Sequence, residues 1–341
     1  MDSPMTSSEV CEKTAGGIVS RVVTRSRIKG IAFRAISSDF IVQDSLKHLA
    51  NHFVARRIRL RRLTDKDKCM MHRKTCLITV ARIVVLVKDI PDLNDVKIDA
   101  STRSPMVDGA KRRLNDLDKR ALEAAIRIKE TGGAEVVTVS VGDERTRSCI
   151  LEALAMGADA AYLVNAPELK GLDACATSRV LASAITKAGA YDAVVSGELS
   201  LDGMGSQVGP RVAELLGVPQ ITYAKELKLE AGKYRAVRDL EDIDEVVEAD
   251  PPFLATVVRE INEPRIPSLM NIMKAKKKPL TEWKIDALGL KAEELRASMR
   301  VTITDVKAPE VRRKRVVIKA EKVEEAVEKL VQALVAEGAL E

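Results

Sequence analysis

From Arg82 onward the chain alternates short apolar runs with longer amphipathic ones. Ile83–Val87 is apolar without a break, as for a strand covered on both faces. The spacing of Leu117, Ala121, Leu122, Ala125, Ile126 and Ile128 predicts a helix over Leu117–Glu130, stopped at Gly132-Gly133. The same reasoning predicts strands over Glu135–Val141, Ala160–Val164 and Asp192–Ser196. It predicts helices over Glu144–Met156, Leu172–Lys187 and Ser206–Leu216, closed by Gly157, Gly189 and Gly217. After Pro219 the texture changes. Thr222–Leu229, Tyr234–Leu240 and Phe253–Val258 read as strands joined by turns at Ala231-Gly232 and Asp250-Pro251-Pro252, an antiparallel addition. From Leu280 the tail is polar and extended. It ends in a helix over Lys322–Val335 with the apolar stripe Val323, Ala326, Val327, Leu330, Val331 and Leu334, suited to wrapping another chain.

Strands alternating with helices point to an α/β fold, a Rossmann-like parallel sheet with helices on both faces and right-handed crossovers. The expected organisation is a nucleotide-binding α/β domain over 81–279 and a C-terminal arm and helix over 280–341. Residues 1–80 lack sustained periodicity, apart from a candidate helix near Gln43–Leu63. They hold 16 Lys/Arg against 7 Asp/Glu, whereas the rest holds 40 against 43. The overall charge of +6 therefore belongs to the first quarter, and the body is slightly acidic. We read 1–80 as a basic extension, disordered or upstream of the true start. With aromatics at 3% of the chain, stacking platforms for nucleic acid are scarce, and no nucleic-acid partner is expected.

All three histidines, His48, His52 and His72, precede residue 80. The body thus has no histidine base and no ordinary histidine metal site. The five cysteines show no C-x-x-C spacing, which suits a reducing, cytoplasmic compartment. No apolar run approaches the ~20 residues of a membrane span.

Open α/β sheets bind ligands beyond the carboxyl ends of their strands. Two loops there have suitable chemistry. One follows the first strand, Lys88-Asp89-Ile90-Pro91-Asp92, with Asn115 and Asp118 near the next helix start. The other is Ser196-Gly197-Glu198-Leu199-Ser200-Leu201-Asp202-Gly203-Met204-Gly205-Ser206-Gln207-Val208-Gly209-Pro210. Here Gly203, Gly205 and Gly209 are expected to let amides approach an anion, and Ser206 to cap the helix, so that phosphate is the natural guest. Such a loop is also a common plain turn. It has no Walker lysine, nor the position of a Rossmann fingerprint.

A further segment is sorted end to end rather than by face: Asn262-Glu263-Pro264-Arg265-Ile266-Pro267-Ser268-Leu269-Met270-Asn271-Ile272-Met273-Lys274-Ala275-Lys276-Lys277-Lys278-Pro279. An apolar knob beside a positive cluster suits a docking surface. The bland alternative is that Leu269 packs internally and the lysines are merely solvated.

These strings resemble the small (beta) subunit of electron-transfer flavoproteins over about three-quarters of the chain. The resemblance rests on Ile83–Lys88 with Asp89-Ile90-Pro91-Asp92, on Leu114–Asp118, on Ala153-Leu154-Ala155-Met156-Gly157-Ala158-Asp159, on Asp202-Gly203 with Gln207-Val208-Gly209-Pro210, and above all on 262–279. It implies an electron carrier paired with an FAD-holding alpha subunit, which passes electrons from dehydrogenases or NADH to a quinone reductase or ferredoxin. It implies AMP or a second FAD in this subunit, in a pocket of Leu86, Asn115, Asp116, Leu117, Asp118, Val141 and the loop Ser200, Leu201, Asp202, Gly203, Met204, Gly205, Ser206, Gln207, Val208, Gly209, Pro210 and Arg211. Gln-Val-Gly-Pro is similar to FAD-containing, bifurcating members, which could also oxidise NADH. Met204, Gly205 and Ser206 depart from the family's Asp-Thr-Ala, so AMP and FAD both stay open. By the same resemblance Leu269, with Met270 beside it in the docking segment, anchors a partner dehydrogenase, supported by Ile266, Ile272 and Met273, with Lys274, Lys276, Lys277 and Lys278 steering it. Met270 stands where the family has proline. A stand-alone AMP- or ATP-binding regulator on a similar fold is the alternative, although it leaves 262–279 without a role.

Overall fold

The computed structural model describes residues 12–15, 18–24, 81–230, 232–310 and 315–340. The candidate helix near Gln43–Leu63 lies outside them. The first strands are β1 (Glu12–Ala15), β2 (Ile18–Thr24), β3 (Arg82–Leu86), β4 (Asp89–Pro91), β5 (Lys97–Ile98), β6 (Pro105–Met106) and β7 (Arg112–Leu114). An alternating stretch follows: α1 (Asp116–Gly132), β8 (Glu135–Gly142), α2 (Thr146–Met156), β9 (Ala160–Asn165), α3 (Ala174–Ala188), β10 (Ala193–Gly197) and α4 (Val208–Leu216). Then come β11 (Gln220–Glu230), β12 (Lys233–Leu240), β13 (Ile243–Ala249), β14 (Phe253–Val257), α5 (Leu269–Ala275), β15 (Leu280–Trp283), α6 (Ala292–Ala297) and α7 (Val323–Ala336).

One sheet runs β1-β2-β13-β12-β11-β14-β10-β3-β8-β9-β15. Within it β11, β14, β10, β3, β8, β9 and β15 are parallel neighbours. The continuous apolar runs make this possible, because these strands are covered twice. Ile83, Val85, Val136, Leu163, Val195 and Ala255 pack with α1 and α2 on one face. Val84, Leu86, Val139, Val194 and Leu254 pack with α3 and α4 on the other. Gly133, at φ 75°, closes α1 in the left-handed conformation that costs glycine least.

The structure corrects three expectations. Phe253–Val257 is not part of the antiparallel addition. All five residues are buried, and β14 lies parallel between β10 and β11. The antiparallel part is instead β11–β12–β13, where Ile243–Ala249 carries too many acids to read as a strand by its apolar content. Within 1–80, where no regular element is expected, Ile18–Thr24 pairs with β13 and Glu12–Ala15 with Ile18–Thr24. The β-branched Ile18, Val19, Val22 and Val23 favour such an added strand.

The described residues up to 95 together with 111–302 form one compact unit, so the sheet-edge strand β15 and helix α6 belong to it. Residues 96–110 and 303–341 form a second. There β5 pairs with β6, Arg103 pairs with Glu310 at 3.0 Å, and α7 leaves Val323, Val327, Leu330 and Val331 exposed.

Candidate nucleotide site and docking surface

The strand order reverses at β3: the chain moves to β8 and β9 on one side, then returns to β10 on the other. A crevice at such a switch point, outside the carboxyl ends of the strands, is where open α/β sheets receive ligands. The residues found there are Lys88, just beyond β3, and the loop following β10.

Two side chains from the start of α1 bind these ends together. Asn115 is fully buried. Its Nδ2 donates to Leu199 O at 2.9 Å, and its Oδ1 accepts from Leu201 N at 3.2 Å. Asp118 accepts from Lys88 N at 2.8 Å and Gly197 N at 3.1 Å. Burial pushes the Asp118 carboxyl up to about 7, against the pull of these amides, Asn115 and the Lys88 charge. Gly197 permits the close approach. A Cβ there would lie 2.7 Å from both Leu117 Cβ and Asp118 Oδ1. Lys88 then reaches across the crevice, its Nζ 2.8 Å from Asp202 Oδ1 and 3.2 Å from Ser200 Oγ.

The loop departs from expectation in detail. Ser206 does not cap α4: the N-cap is Gln207, with no side-chain cap, and its Oε1 accepts from Arg211 instead. Positive φ falls on Met204 (46°) and Ser206 (48°), not on Gly203 or Gly205. Gly209 serves helix–sheet packing, since a Cβ there would sit 2.5 Å from Thr256 Cγ2. What remains is an α4 N-terminus whose first N–H groups take no side-chain cap. The buried Ser196 Oγ nearby has no partner among the described residues. Leu86 is buried and Val141 half-buried, both on the α3 and α4 face near these strand ends. Asp116 pairs with Arg113, and Leu117 is buried against Gly197. Free amides, a hydroxyl, a lysine and apolar walls fit a nucleotide.

Beside this loop lies an open cleft of about 830 Å³, where the sequence-predicted Asp116, Leu117, Leu201 and Met204 meet residues of β11, β12 and the segment after β14 that sequence reasoning did not single out. Its walls include Asp116, Glu198, Asp239, Glu241 and Glu260 against Arg120 and Arg259. Burial, with Glu260 nearby, pushes Glu198 upward. So acidic a cleft repels phosphate, which leaves the uncapped α4 end as the better anion site. Tyr223, 41% exposed and at φ 58°, stands in the cleft where β11 changes partner from β14 to β12. A strained aromatic on a bulge has no signature in apolar periodicity.

The apolar-basic segment 262–279 is displayed on the surface. Ser268 caps α5, its Oγ accepting from Asn271 N at 3.2 Å. Ile266 is 93% exposed and Leu269 76%, and Met270, Ile272 and Met273 are exposed beside them. Ala275 alone is buried, against α2. Lys274, Lys276 and Lys277 face solvent. Lys278 does not join them. Its Nζ donates to Leu154 O at 2.9 Å and to Ala158 O, holding the carbonyl end of α2.

A family model described as the electron transfer flavoprotein domain matches residues 106–288. The chain belongs to the electron transfer flavoprotein family. It is 41% identical over 214 residues to the electron transfer flavoprotein subunit beta of Thermoanaerobacterium thermosaccharolyticum, covering 62% of this chain and 82% of that one. It is 41% identical over 213 residues to subunit CarD of the caffeyl-CoA reductase-Etf complex of Acetobacterium woodii, covering 62% and 81%. The electron transfer flavoprotein subunit beta of Bacillus subtilis is 38% identical over 219 residues, covering 64% and 84%. The resemblance read from short strings therefore extends across the α/β body of an electron transfer flavoprotein. Among the described residues no helix is long and apolar enough to cross a membrane.

Proposed function

We propose that this chain is the beta subunit of a heterodimeric electron transfer flavoprotein, holding a nucleotide at the switch point and presenting α5 to electron donors. The observation that carries the reading is the joining of Lys88, Asn115, Asp118 and the 199–202 loop at the crevice of a chain that also exposes Leu269. A stand-alone regulator has no use for that exposed surface, and the relatives are named as subunits.

Under this reading the uncapped amides of α4, Ser196 and Lys88 hold phosphate, while Leu86 and Val141 cover the apolar part of the nucleotide. The flavin, when bound, supplies the redox chemistry. The protein's residues bind, orient and exclude water. The Gln207-Val208-Gly209-Pro210 string, similar to that of FAD-containing members, favours a second FAD here over AMP, and with it NADH oxidation. Leu269 enters a pocket on a flavin dehydrogenase, and Lys274, Lys276 and Lys277 steer it toward an acidic surface. A quinone reductase or ferredoxin receives the electrons. The unpaired Cys149 and Cys175 support a cytoplasmic location.

The test is denaturing extraction of the purified heterodimer, with FAD and AMP counted per complex. Two FAD support bifurcation or NADH oxidation, and one FAD with one AMP supports simple carriage. Finding neither flavin nor AMP would refute the reading. Leu269→Ala should slow electron exchange with a dehydrogenase while leaving flavin content unchanged. Loss of both together would make Leu269 a core residue.

A further inference from the structure

The segment before α5 is tied to α1 by a set of charged and polar contacts. Arg265 donates from Nε to Glu123 Oε2 at 2.7 Å, from its backbone N to the same oxygen at 3.2 Å, and from Nη2 to Glu130 Oε2 at 3.0 Å. Glu123 is 3% exposed and also accepts from Arg127 Nε at 2.8 Å. Burial alone would raise its carboxyl. The hydrogen bonds from Arg265 and Arg127 outweigh it and hold Glu123 below the usual range. Two contacts flank the pair: Asn262 Nδ2 donates to Arg120 O at 2.9 Å, and Arg120 Nη2 lies 3.2 Å from Glu263 Oε1. The helix holding this segment is the one whose first turn carries Asn115 and Asp118 into the crevice.

An exposed apolar helix of seven residues has little stability of its own. Its direction comes from its attachments: the Glu123–Arg265 pair before it, Ala275 buried against α2 within it, and Lys278 after it. A flexible attachment would add an ordering cost to every encounter with a partner.

We propose that Glu123 and Arg265 are positioning residues for partner docking: they fix the segment leading into α5 on α1, while Ala275 and Lys278 seat α5 itself on α2, so that Leu269 is presented to the donor dehydrogenase without an ordering cost. The proposal rests on the docking reading of α5. Arg265→Lys keeps the charge but loses the two-carboxylate fork, and Glu123 remains paired with Arg127.

The experiment uses the heterodimer with its alpha subunit and a flavin dehydrogenase that reduces the wild-type complex, supplied with its own organic substrate. In Arg265→Lys the KM for the complex should rise roughly tenfold, the size of one lost charge-assisted hydrogen bond, with kcat and flavin content unchanged. The double variant Arg265→Lys/Leu269→Ala should be no worse than Leu269→Ala, because both act through the same contact. Glu130→Gln, on the exposed side of the fork, should raise KM in the same direction should Arg265→Lys fold poorly. If Leu269→Ala slows exchange but neither Arg265→Lys nor Glu130→Gln does, or if the effects of Arg265→Lys and Leu269→Ala add fully, the positioning role is wrong. If Leu269→Ala itself has no effect, the docking reading fails, and this inference with it.

Discussion

Asp118 and Gly197 show how single residues shape the crevice. A buried carboxyl raised to about 7 stabilises the fold most below its unfolded value near 4, and that contribution is lost as pH rises through 7. The slope is at most about 1.4 kcal/mol per pH unit between those limits. Asp118→Asn should therefore flatten the fall in melting temperature between pH 5 and pH 8, followed by thermal denaturation; an unchanged slope would place the titration elsewhere. Gly197→Ala meets Leu117 and Asp118 at contact distances no real Cβ tolerates. It should cost roughly 1–3 kcal/mol and release nucleotide, measured by melting and by extraction. Asn115 and Asp118 were legible in the sequence because polar residues at a helix start after a strand stand out. The roles of Gly197 and Gly209 were not, because what they avoid lies on other elements. The same holds for Tyr223, whose strain comes from strand pairing.

At the scale of elements, the lysine cluster after Met273 divides by contact. Lys274, Lys276 and Lys277 face solvent, where under the proposed function they steer a partner, whereas Lys278 is spent on the carbonyls ending α2. Replacing Lys276 and Lys277 by alanine should slow association with a dehydrogenase and weaken its salt dependence, read by stopped flow, with no change in melting. Lys278→Met should instead lower stability by about 1 kcal/mol, with little change in the salt dependence. An identical response of all three positions would contradict this division. The strand and helix types of the body were legible to within a few residues, since apolar runs and helical spacing are local signals. The place of β14 was not. A fully buried run fits any covered strand, and only the loops around it decide between parallel and antiparallel neighbours.

On the scale of the whole molecule, the chain divides into two units. The second unit exposes Val323, Val327, Leu330 and Val331 on a helix without a buried side. Under the proposed function this surface wraps the alpha subunit. Removing residues 303–341 should weaken the heterodimer, seen as separation of the subunits by size-exclusion chromatography at micromolar concentration, while the first unit keeps its melting transition. Co-elution of the truncated chain at full stoichiometry would sink that assignment. The sequence by itself determined the α/β alternation, the loops at the strand ends and the apolar-basic order of 262–279, because each is a pattern carried by neighbouring residues. Only the tertiary structure decided that Asn115 and Asp118 lock the crevice, that Lys278 binds the carbonyls ending α2 rather than facing solvent, and that Arg265 ties the segment before α5 to α1. Each of those depends on a partner far along the chain, brought close only when the sheet and its helices pack together.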